Sequence, residues 1–317
     1  MGVTVLILAC DEALHIVRAI RSCAGFATRV VVVDSGSRDA TVALARQAGA
    51  EVWQAPWPGY AVQFNRALAR LNEEGEDDGW VLRLDADEVV TPALAAEIAA
   101  GLPPACAGLT LRREIRFLGA PVRFGGVGGM RQLRLIRAGR GRCEARHMDE
   151  HLLVEGAVGA LDGAIVDDNL KPLDWWLEKH AGYAAREAAD LDAAERGPLP
   201  SERGAALRRW IKLHLYARLP PGWRAGLYFL YRYFLRGGFR DGPEGRAYHV
   251  LQGFWYRYLV DLKLRDRRAR ALSDAQDRPR ARREDPVMTS PNSPTIARRG
   301  PGDGASPALR EVGFPCG

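Results

Sequence analysis

The chain has 317 residues, of which 47% are hydrophobic and 26% are charged, as in an ordinary globular protein. This composition excludes a wholly disordered chain, and no apolar run reaches the roughly 18–20 residues that a membrane-spanning helix needs. The formal net charge of +6 favours a polyanion, an anionic membrane surface or a phosphorylated substrate as partner.

Short apolar segments alternate with helical patterns in the first part of the chain. The predicted strands are 3–9, 29–33, 51–54 and 80–84, and the predicted helices between them are 13–23, 39–48 and 60–71. Strands that alternate with helices of about 10–12 residues indicate βαβ units and a mostly parallel sheet. The first segment lacks a basic start, which favours a buried strand over a signal peptide.

The pattern changes after residue 107. Residues 108–136 alternate apolar and basic side chains, which predicts strands with one solvated face. Helical patterns follow at 172–195, 208–217, 223–235 and 248–264. Beyond Asp266 the chain is rich in Arg, Asp, Pro, Ser and Gly, which predicts a disordered tail. The predicted organisation is an α/β domain at 1–165 with halves 1–107 and 108–165, a helical region at 166–265 and a tail at 266–317.

Acidic residues follow three of the predicted strands. In chain order they are Asp11, Glu12, Asp34, Asp85, Asp87 and Glu88. Because ligands of open α/β sheets bind beyond the carboxyl ends of the strands, we expect these acids to line one crevice. Asp85 and Asp87 repel each other unless a positive charge lies between them. A divalent cation that carries a nucleotide diphosphate would supply that charge.

The turn after the first strand argues against a dinucleotide-binding Rossmann domain. Such a domain needs a glycine-rich turn there, whereas this chain has Ala9, Cys10, Asp11 and Glu12. Acids at this position repel a pyrophosphate but accept hydrogen bonds from ribose hydroxyls or a base. At the second turn two interpretations stay open, since Asp34 either contacts a ligand or caps its own turn at 35–37.

Four segments carry a family resemblance by their order and spacing: LILACDEALHI, VVVDSGSRDAT, YAVQFNRAL and WVLRLDADE. They resemble inverting nucleotide-sugar glycosyltransferases of family 2, which have the GT-A fold, and above all the bacterial lipopolysaccharide-core and exopolysaccharide glucosyltransferase-like group. The similarity covers residues 3–264. It implies a GT-A Rossmann-like sheet flanked by helices, with a C-terminal helical extension. It also implies that residues 1–107 hold the nucleotide sugar and 108–165 the acceptor.

The resemblance implies a role for each acid. Glu12 occupies the acid of the family's Asn-Glu turn, Asp34 matches the residue that holds uracil or ribose, and Asp87 matches a direct ligand of Mg²⁺ or Mn²⁺. Gln63 and Asn65 match a polar pair that faces the diphosphate, with exposed helix polars as the alternative. The implied nucleotide-sugar site is Ala9, Asp11, Glu12, Asp34, Ser37, Gln63, Asn65 and Asp85, and the implied metal ligands are Asp87 and Asp85.

Inversion of the sugar also requires a general base that takes the proton of the acceptor hydroxyl. Asp149 and Glu150 both match the family's base position, and Asp149 is favoured narrowly over Glu150. A solvated turn is the alternative for this acidic pair. His147 and His151 have the spacing of a helical zinc pair but lack a nearby third ligand, so zinc is not expected.

Aromatic residues and arginines are interleaved over residues 208–264. The alternatives are a helical layer packed on the sheet, helices on the anionic surface of the inner membrane, and a nucleic-acid site. The membrane is favoured because aromatic rings and arginine suit the depth of the interface, and no nucleic-acid partner is expected because no known module is present. Trp175, Trp176 and the helix after them either wall the acceptor site or pack in the core.

The predicted function is therefore transfer of a hexose from a nucleotide diphosphate sugar, a UDP-sugar by preference, to a lipid-linked glycan acceptor. The predicted location is cytoplasmic, peripheral on the cytoplasmic face of the inner membrane. Two rival functions stay open at this point. They are a sugar-nucleotide nucleotidyltransferase, against which the acidic first turn argues, and a non-catalytic membrane scaffold.

Overall fold

The computed structural model describes residues 2–75, 79–144, 151–196 and 222–277. One compact unit extends to Arg265, and a second begins at Asp266. Of the second unit, the structure describes the C-terminal part of the last helix. The helix predicted at 208–217 and the tail beyond residue 277 lie outside the described residues.

The strands of the described residues form one large sheet and one small sheet. The large sheet has nine strands: β1 (Val3–Ala9), β2 (Arg29–Asp34), β3 (Glu51–Gln54), β4 (Trp80–Asp85), β5 (Glu88–Val90), β6 (Gly108–Phe117), β7 (Ala120–Val122), β8 (Met130–Arg137) and β11 (Val158–Asp168). The small sheet pairs β9 (Gly141–Cys143) with β10 (Leu152–Val154).

Helices flank the large sheet and continue beyond it. They are α1 (Ile16–Ser22), α2 (Thr41–Gln47), α3 (Tyr60–Glu73), α4 (Pro92–Ala99), α5 (Leu173–Arg196), α6 (Trp223–Leu230), α7 (Pro243–Tyr248) and α8 (Tyr256–Asp277). A π-helical turn, Tyr231–Leu235, continues α6, and a second, His249–Trp255, joins α7 to α8. A short 3₁₀ turn, Gly238–Arg240, lies between them. Along the described ranges, no helix has the length and apolar character that crossing a membrane requires.

The strand order β3-β2-β1-β4-β8-β6-β11-β5 brings one end of many strands together. β1 to β4 are mutually parallel where they pair. β8 is antiparallel to both β4 and β6, so β6 and its parallel neighbour β11 point the same way as β4. The carboxyl ends of β1, β2, β3, β4, β6 and β11 therefore meet at one edge of the sheet, which we call the carboxyl edge.

Apolar layers cover both faces of β1, β2 and β4. Val5 and Ile7 belong to the layer under α1, whereas Leu6 between them belongs to the layer under α3. Successive side chains of a strand point to opposite faces, so a strand buried on both faces must be apolar throughout. This requirement explains why these strands are continuous apolar runs.

A separate apolar cluster joins the C-terminal helices to the end of β6. Phe117 and Val122 of the β6–β7 hairpin pack against Trp176 of α5 and against Tyr248 and Leu251. The ring centroids of Phe117 lie 5.3 Å from Trp176 and 5.5 Å from Tyr248. The helical extension is thus anchored beside the carboxyl edge.

Candidate active site

The turns after β1 and β2 are joined by hydrogen bonds at the carboxyl edge. The Oδ1 atom of Asp11 accepts from the N–H of Arg38 at 2.7 Å, and the N–H of Asp11 donates to Ser37 Oγ at 2.9 Å. Asp39 accepts from the N–H of Ala13 at 3.0 Å. Asp11 has a φ of 51°, a region in which Asp is one of the tolerated residues. Backbone N–H groups thus satisfy much of the negative charge that the sequence places here.

Asp34 is fully buried and caps its own turn. Its carboxylate accepts from the N–H groups of Gly36 at 3.0 Å and Ser37 at 3.1 Å, and from the Ser37 hydroxyl. The carbonyl of Ala9 accepts from the N–H of Ser35 at 2.9 Å and closes the same turn. The sequence left open whether Asp34 contacts a ligand or caps its own turn, and the structure shows that it caps the turn. A contact of Ala9, Asp34 or Ser37 with a nucleotide stays a prediction.

The amides of the two polar residues of α3 both make hydrogen bonds inside the fold. Gln63 is buried, and its amide exchanges hydrogen bonds with Ser35 Oγ at 2.9 and 3.1 Å. The amide of Asn65 pairs with the backbone of Cys143 in β9, donating to its carbonyl at 2.9 Å and accepting from its N–H at 2.7 Å. A contact of either amide with a diphosphate stays a prediction. The alternative of exposed helix polars is wrong for Gln63.

Asp85 lies in a cluster of buried charges. Its Oδ1 accepts from the hydroxyl of Tyr60 at 2.9 Å, and its Oδ2 lies 3.3 and 3.4 Å from the two terminal nitrogens of Arg134. Glu88 accepts from Arg134 at 2.7 Å and from the N–H of Asp85 at 2.9 Å. Arg113 joins the cluster and pairs with Asp167 of β11. Arg134 therefore supplies a positive charge beside Asp85, and a divalent metal ion at Asp85 stays a prediction.

Burial and the neighbouring charges shift the pKa values of this cluster in opposite directions. Burial would raise the pKa of Asp85, but Arg134 and Arg83 outweigh it and lower that pKa. Burial raises the pKa of Glu88 to about 7, since the carboxylate of Asp85 partly offsets the attraction of Arg134. Burial also raises the pKa of Asp167 to about 6. Asp85 is therefore the carboxylate that stays ionised most firmly.

Asp87 is oriented differently from Asp85. Its Oδ2 accepts from the amide of Asn169 at 2.9 Å, and its carbonyl accepts from Arg18 at 3.1 Å and from the N–H of Asp168 at 3.2 Å. The side chain of Asn169 is itself held, because its Oδ1 accepts from the N–H of Lys171 at 2.9 Å. Asp87 is half-buried, and its carboxylate makes one hydrogen bond among the described residues. It is thus positioned by β11 and remains available for a ligand.

Glu12 connects the first turn to the segment before α5. One oxygen accepts from Lys171 Nζ at 2.8 Å and the other lies 2.5 Å from His15 Nδ1. The N–H of Leu170 donates to His15 Nε2 at 2.9 Å, so His15 is the Nδ1–H tautomer and donates to Glu12. Burial would raise the pKa of Glu12, but these two hydrogen bonds outweigh it and lower the pKa.

Two lysines bracket Trp175 near the same acids. The Nζ atoms of Lys171 and Lys179 lie 4.3 and 4.6 Å from the Trp175 ring centroid. Burial would lower the pKa of Lys179, but Tyr183 and then the carboxylates of Asp87 and Glu12 outweigh it and raise the pKa. These lysines therefore bring positive charge to the acids of the carboxyl edge.

Comparison with known proteins decides the family. Residues 4–102 match the family model described as "Glycosyl transferase family 2". The chain is 30% identical over 249 residues to the lipopolysaccharide core biosynthesis glycosyltransferase LpsC of Rhizobium meliloti (strain 1021), covering 76% of this chain and 83% of that protein. The chain belongs to glycosyl transferase family 2. The sequence left three functions open, and family membership supports glycosyl transfer among them.

Other proteins match this chain over a shorter stretch or at lower identity. An uncharacterized glycosyltransferase of Rickettsia felis is 40% identical over 96 residues, which cover 30% of this chain and 32% of that protein. A structure of glucosyl-3-phosphoglycerate synthase from Mycobacterium tuberculosis with Mn²⁺, UDP and phosphoglyceric acid matches with a TM-score of 0.37 and 18% identity. That match covers 55% of this chain and 73% of the other chain.

The predicted fold of the glycosyltransferase is confirmed. Family membership and the observed architecture agree on a GT-A-type α/β sheet flanked by helices, with a C-terminal helical extension. The sheet is more mixed than predicted, because β5, β7 and β8 run against the other six strands.

The base candidates of the glycosyltransferase, Asp149 and Glu150, lie outside the described residues, as does His147. His151 is exposed, and its carbonyl accepts from the N–H of Glu144 at 2.8 Å. Within the described ranges, no group of three His, Cys, Asp or Glu side chains is placed to hold a metal ion by itself. The base and metal assignments therefore stay predictions.

Sequence reasoning missed the residues that orient the carboxyl edge from β11 and beyond, namely Asn169, Lys171 and Lys179. Asn169 directly follows the end of β11, so the strand-end argument would have found it had this strand been predicted. Trp176 packs inside the fold, since its ring stacks on His180 with centroids 3.6 Å apart, and its place in the wall of the acceptor site stays a prediction. Burial lowers the pKa of His180 to about 4. Glu187 pairs with Tyr256 and Arg257 of α8, so it also joins helices.

Proposed function

We propose that this family 2 enzyme is an inverting hexosyltransferase. Its donor is a nucleotide diphosphate sugar, a UDP-sugar by preference, and its acceptor is a lipid-linked saccharide in lipopolysaccharide-core or related cell-surface polysaccharide assembly. The observation that carries the proposal is Asp87 at the carboxyl edge, held by Asn169 and available for a ligand. The 30% identity with a lipopolysaccharide core glycosyltransferase over most of the chain supports the choice of acceptor.

The residues at the carboxyl edge fit Mg²⁺ or Mn²⁺ that arrives with a nucleotide. Asp87 offers a carboxylate, whereas both oxygens of Asp85 are engaged by Tyr60 and Arg134. Such cations are commonly held by one or two carboxylates together with substrate phosphates, so a single protein carboxylate suffices. When bound, the cation supplies positive charge to the departing nucleoside diphosphate. We assign the direct contact to Asp87 and leave ribose to Asp85.

The remaining roles follow from the charges around this carboxylate. Lys171 and Lys179 provide cations on the side of Trp175, where they would attract the diphosphate. Asp149 or Glu150 takes the proton of the acceptor hydroxyl. Asn65 acts indirectly, because it fixes Cys143 at the end of β9, from which the chain continues towards the base candidates.

The enzymatic proposal is tested by release of nucleoside diphosphate. The protein is incubated with a panel of UDP- and GDP-sugars, Mn²⁺ and membrane extract as acceptor. Release should require metal and should be abolished by Asp87→Asn, which is nearly isosteric. Asp162→Asn is the matched control, because the side chain of Asp162 is 94% exposed and pairs with Arg131 at the surface. Absence of release with every donor would contradict the proposal.

The base assignment needs a separate comparison. Asp149→Asn should keep donor binding, measured by calorimetry, and should lose transfer to the acceptor. Glu150→Gln should keep both. If only Glu150→Gln stops transfer, the base is Glu150.

We further propose that the C-terminal helices lie on an anionic membrane. Trp223, Leu227, Leu230 and Phe234 are all exposed and follow one another at spacings of four, three and four residues, which places them on one helix face. Leu235, Phe239, Val250 and Phe254 add exposed apolar side chains nearby in the chain. Arg236 and Arg240 are exposed among them, and their charge suits anionic headgroups.

Vesicle flotation tests the membrane proposal. The protein should float with vesicles that contain phosphatidylglycerol and much less with pure phosphatidylcholine. Phe234→Glu together with Leu235→Glu should abolish flotation, because charged side chains would then enter the apolar layer. Val158→Glu is the control, since Val158 is 51% exposed but lies at the start of β11. Equal flotation of both variants would refute the assigned surface.

A further inference from the structure

A groove of about 320 Å³ lies along β6 and the β6–β7 hairpin. Its charged lining consists of Arg112, Glu114, Arg116 and Arg123, and Gly128 and Gly129 form part of its wall. Arg112, Glu114 and Arg116 share one face of β6, because alternate side chains of a strand point the same way. Three cations and one carboxylate therefore face the same space.

The three arginines of the groove differ from the other arginines on these strands. Arg113 pairs with Asp167, Arg131 with Asp162 and Arg134 with Glu88. In the part of the chain that the structure describes, the side chains of Arg112, Arg116 and Arg123 make no ion pair or hydrogen bond. Three guanidinium groups in a concave site that has one carboxylate, and that form no ion pair with it, are available to bind an external anion.

The backbone beneath Arg123 is held firmly. The carboxylate of Asp241 accepts from the N–H groups of Arg123 at 2.9 Å and Phe124 at 3.2 Å, and its Oδ2 lies 2.8 Å from Nε2 of buried His249. A Cβ atom on Gly128 would lie 2.2 Å from the carbonyl oxygen of Arg123, so this position requires glycine. The wall of the groove is thus a built feature that the C-terminal helices keep in place.

The groove extends towards the carboxyl edge. β6 ends at this edge, and Arg116 is paired in register with Asp168, the last residue of β11. The N–H of Asp168 donates to the carbonyl of Asp87 at 3.2 Å. One end of the groove is therefore connected through a single strand pair to the candidate metal ligand.

We propose that this groove binds an anionic saccharide, and that a phosphate or carboxylate on the acceptor sugar contacts Arg112, Arg116 and Arg123. Planar guanidinium groups bind both anions in a bidentate manner, and the Glu114 carboxylate accepts hydrogen bonds from sugar hydroxyls. The groove thus selects an acidic acceptor over a neutral one. The role of this saccharide as acceptor rests on the proposed function, whereas binding of an anionic sugar in the groove does not.

Calorimetric titration of the full-length protein tests the proposal with defined probes. Glucose 6-phosphate and glucuronate should bind, and methyl glucoside should not. Inorganic phosphate should bind more weakly than glucose 6-phosphate, because it lacks the sugar hydroxyls that donate hydrogen bonds to Glu114. Each of Arg112→Gln, Arg116→Gln and Arg123→Gln should weaken binding of glucose 6-phosphate by about tenfold. Arg46→Gln is the matched control, since Arg46 is exposed on α2, away from the groove. This variant should bind glucose 6-phosphate as the wild type does.

Three results would overturn the proposal. The first is binding of methyl glucoside as strong as that of glucose 6-phosphate. The second is an equal effect of Arg46→Gln and the groove variants, which would indicate general charge attraction. The third is a groove variant that keeps saccharide binding but loses flotation with phosphatidylglycerol vesicles, which would make the groove a lipid headgroup site. Release of nucleoside diphosphate by the wild type is measured separately, so failure of the enzymatic proposal is distinguishable from failure of the groove.

Discussion

Arg134 is the residue whose loss should destabilise the sheet most clearly. Its side chain is 6% exposed, that of Glu88 is 1% exposed, and the two are 2.7 Å apart. Arg134→Met keeps much of the apolar stem but removes the guanidinium from between Glu88 and Asp85. Breaking a buried ion pair from one side costs about 3–5 kcal/mol, because an uncompensated charge stays in the interior. We expect that loss in the free energy of unfolding at pH 8, measured by urea denaturation.

The loss should depend on pH in a defined direction. A carboxyl group whose pKa is raised in the folded state contributes stability below its unfolded pKa and loses it as the pH rises through the folded pKa. The pKa of Glu88 is already raised to about 7, and removal of Arg134 raises it further. Glu88 is protonated at pH 5 with or without Arg134, and only one pH unit separates its wild-type pKa of about 7 from pH 8. The loss should therefore be smaller at pH 5 by up to about 1.4 kcal/mol, the equivalent of one pKa unit.

Three further variants complete the test. Arg134→Lys keeps a positive charge and should lose less than Arg134→Met. Arg134→Met combined with Glu88→Gln should recover part of the loss at pH 8, because the stranded charge is removed. Arg131→Met is the surface control, since its partner Asp162 is exposed, and should cost less than about 1 kcal/mol. A loss below about 1 kcal/mol for Arg134→Met, with no pH dependence, would refute a desolvated cluster.

Three other substitutions test individual contacts. Asn65→Ala should lower the free energy of unfolding by about 1–3 kcal/mol, because the carbonyl and the N–H of Cys143 in β9 both lose their hydrogen-bond partner. The affinity for the nucleotide sugar, measured by calorimetry, should stay unchanged; a selective loss of that affinity would instead support a diphosphate contact. Asn169→Ala should weaken Mn²⁺ binding in the presence of UDP by about 10–100-fold in calorimetry, and an unchanged affinity would remove its positioning role. Lys171→Met should destabilise the protein at pH 7, and the difference from the wild type should disappear as the pH falls below the lowered folded pKa of Glu12; a difference that persists in acid would show that packing is the cause.

Several elements were predictable from the sequence because their burial constrains composition directly. β1 and β3 begin and end where predicted, and β2 and β4 each extend one residue further, to the acid that follows the apolar run. Strands buried on both faces must be apolar throughout, so the signal is local. α4 was missed although Thr91 caps it and Pro92 opens it, which is a recognisable helix start.

β11 was not predicted, although it lies inside the sheet between β6 and β5. Its sequence contains Gly159, Asp162 and Gly163, which lower the intrinsic strand propensity. Its pairing with β6 and β5 makes it a strand, and that pairing is not a local property. Asn169 and Lys171 follow it, so the missed strand also hid the residues that hold Asp87 and Glu12.

The sequence by itself determined that acids stand at the ends of buried strands and that those ends share one edge. It also determined the family, through segments whose order and spacing are legible without a structure. Only the tertiary structure decided the partner of each acid, because partners come from strands and helices distant in the chain. Asp85 meets Arg134, 49 residues away, Asp87 meets Asn169, 82 residues away, and Asp34 meets its own turn. A charge pattern specifies that compensation is required, but strand order and register specify which residue provides it.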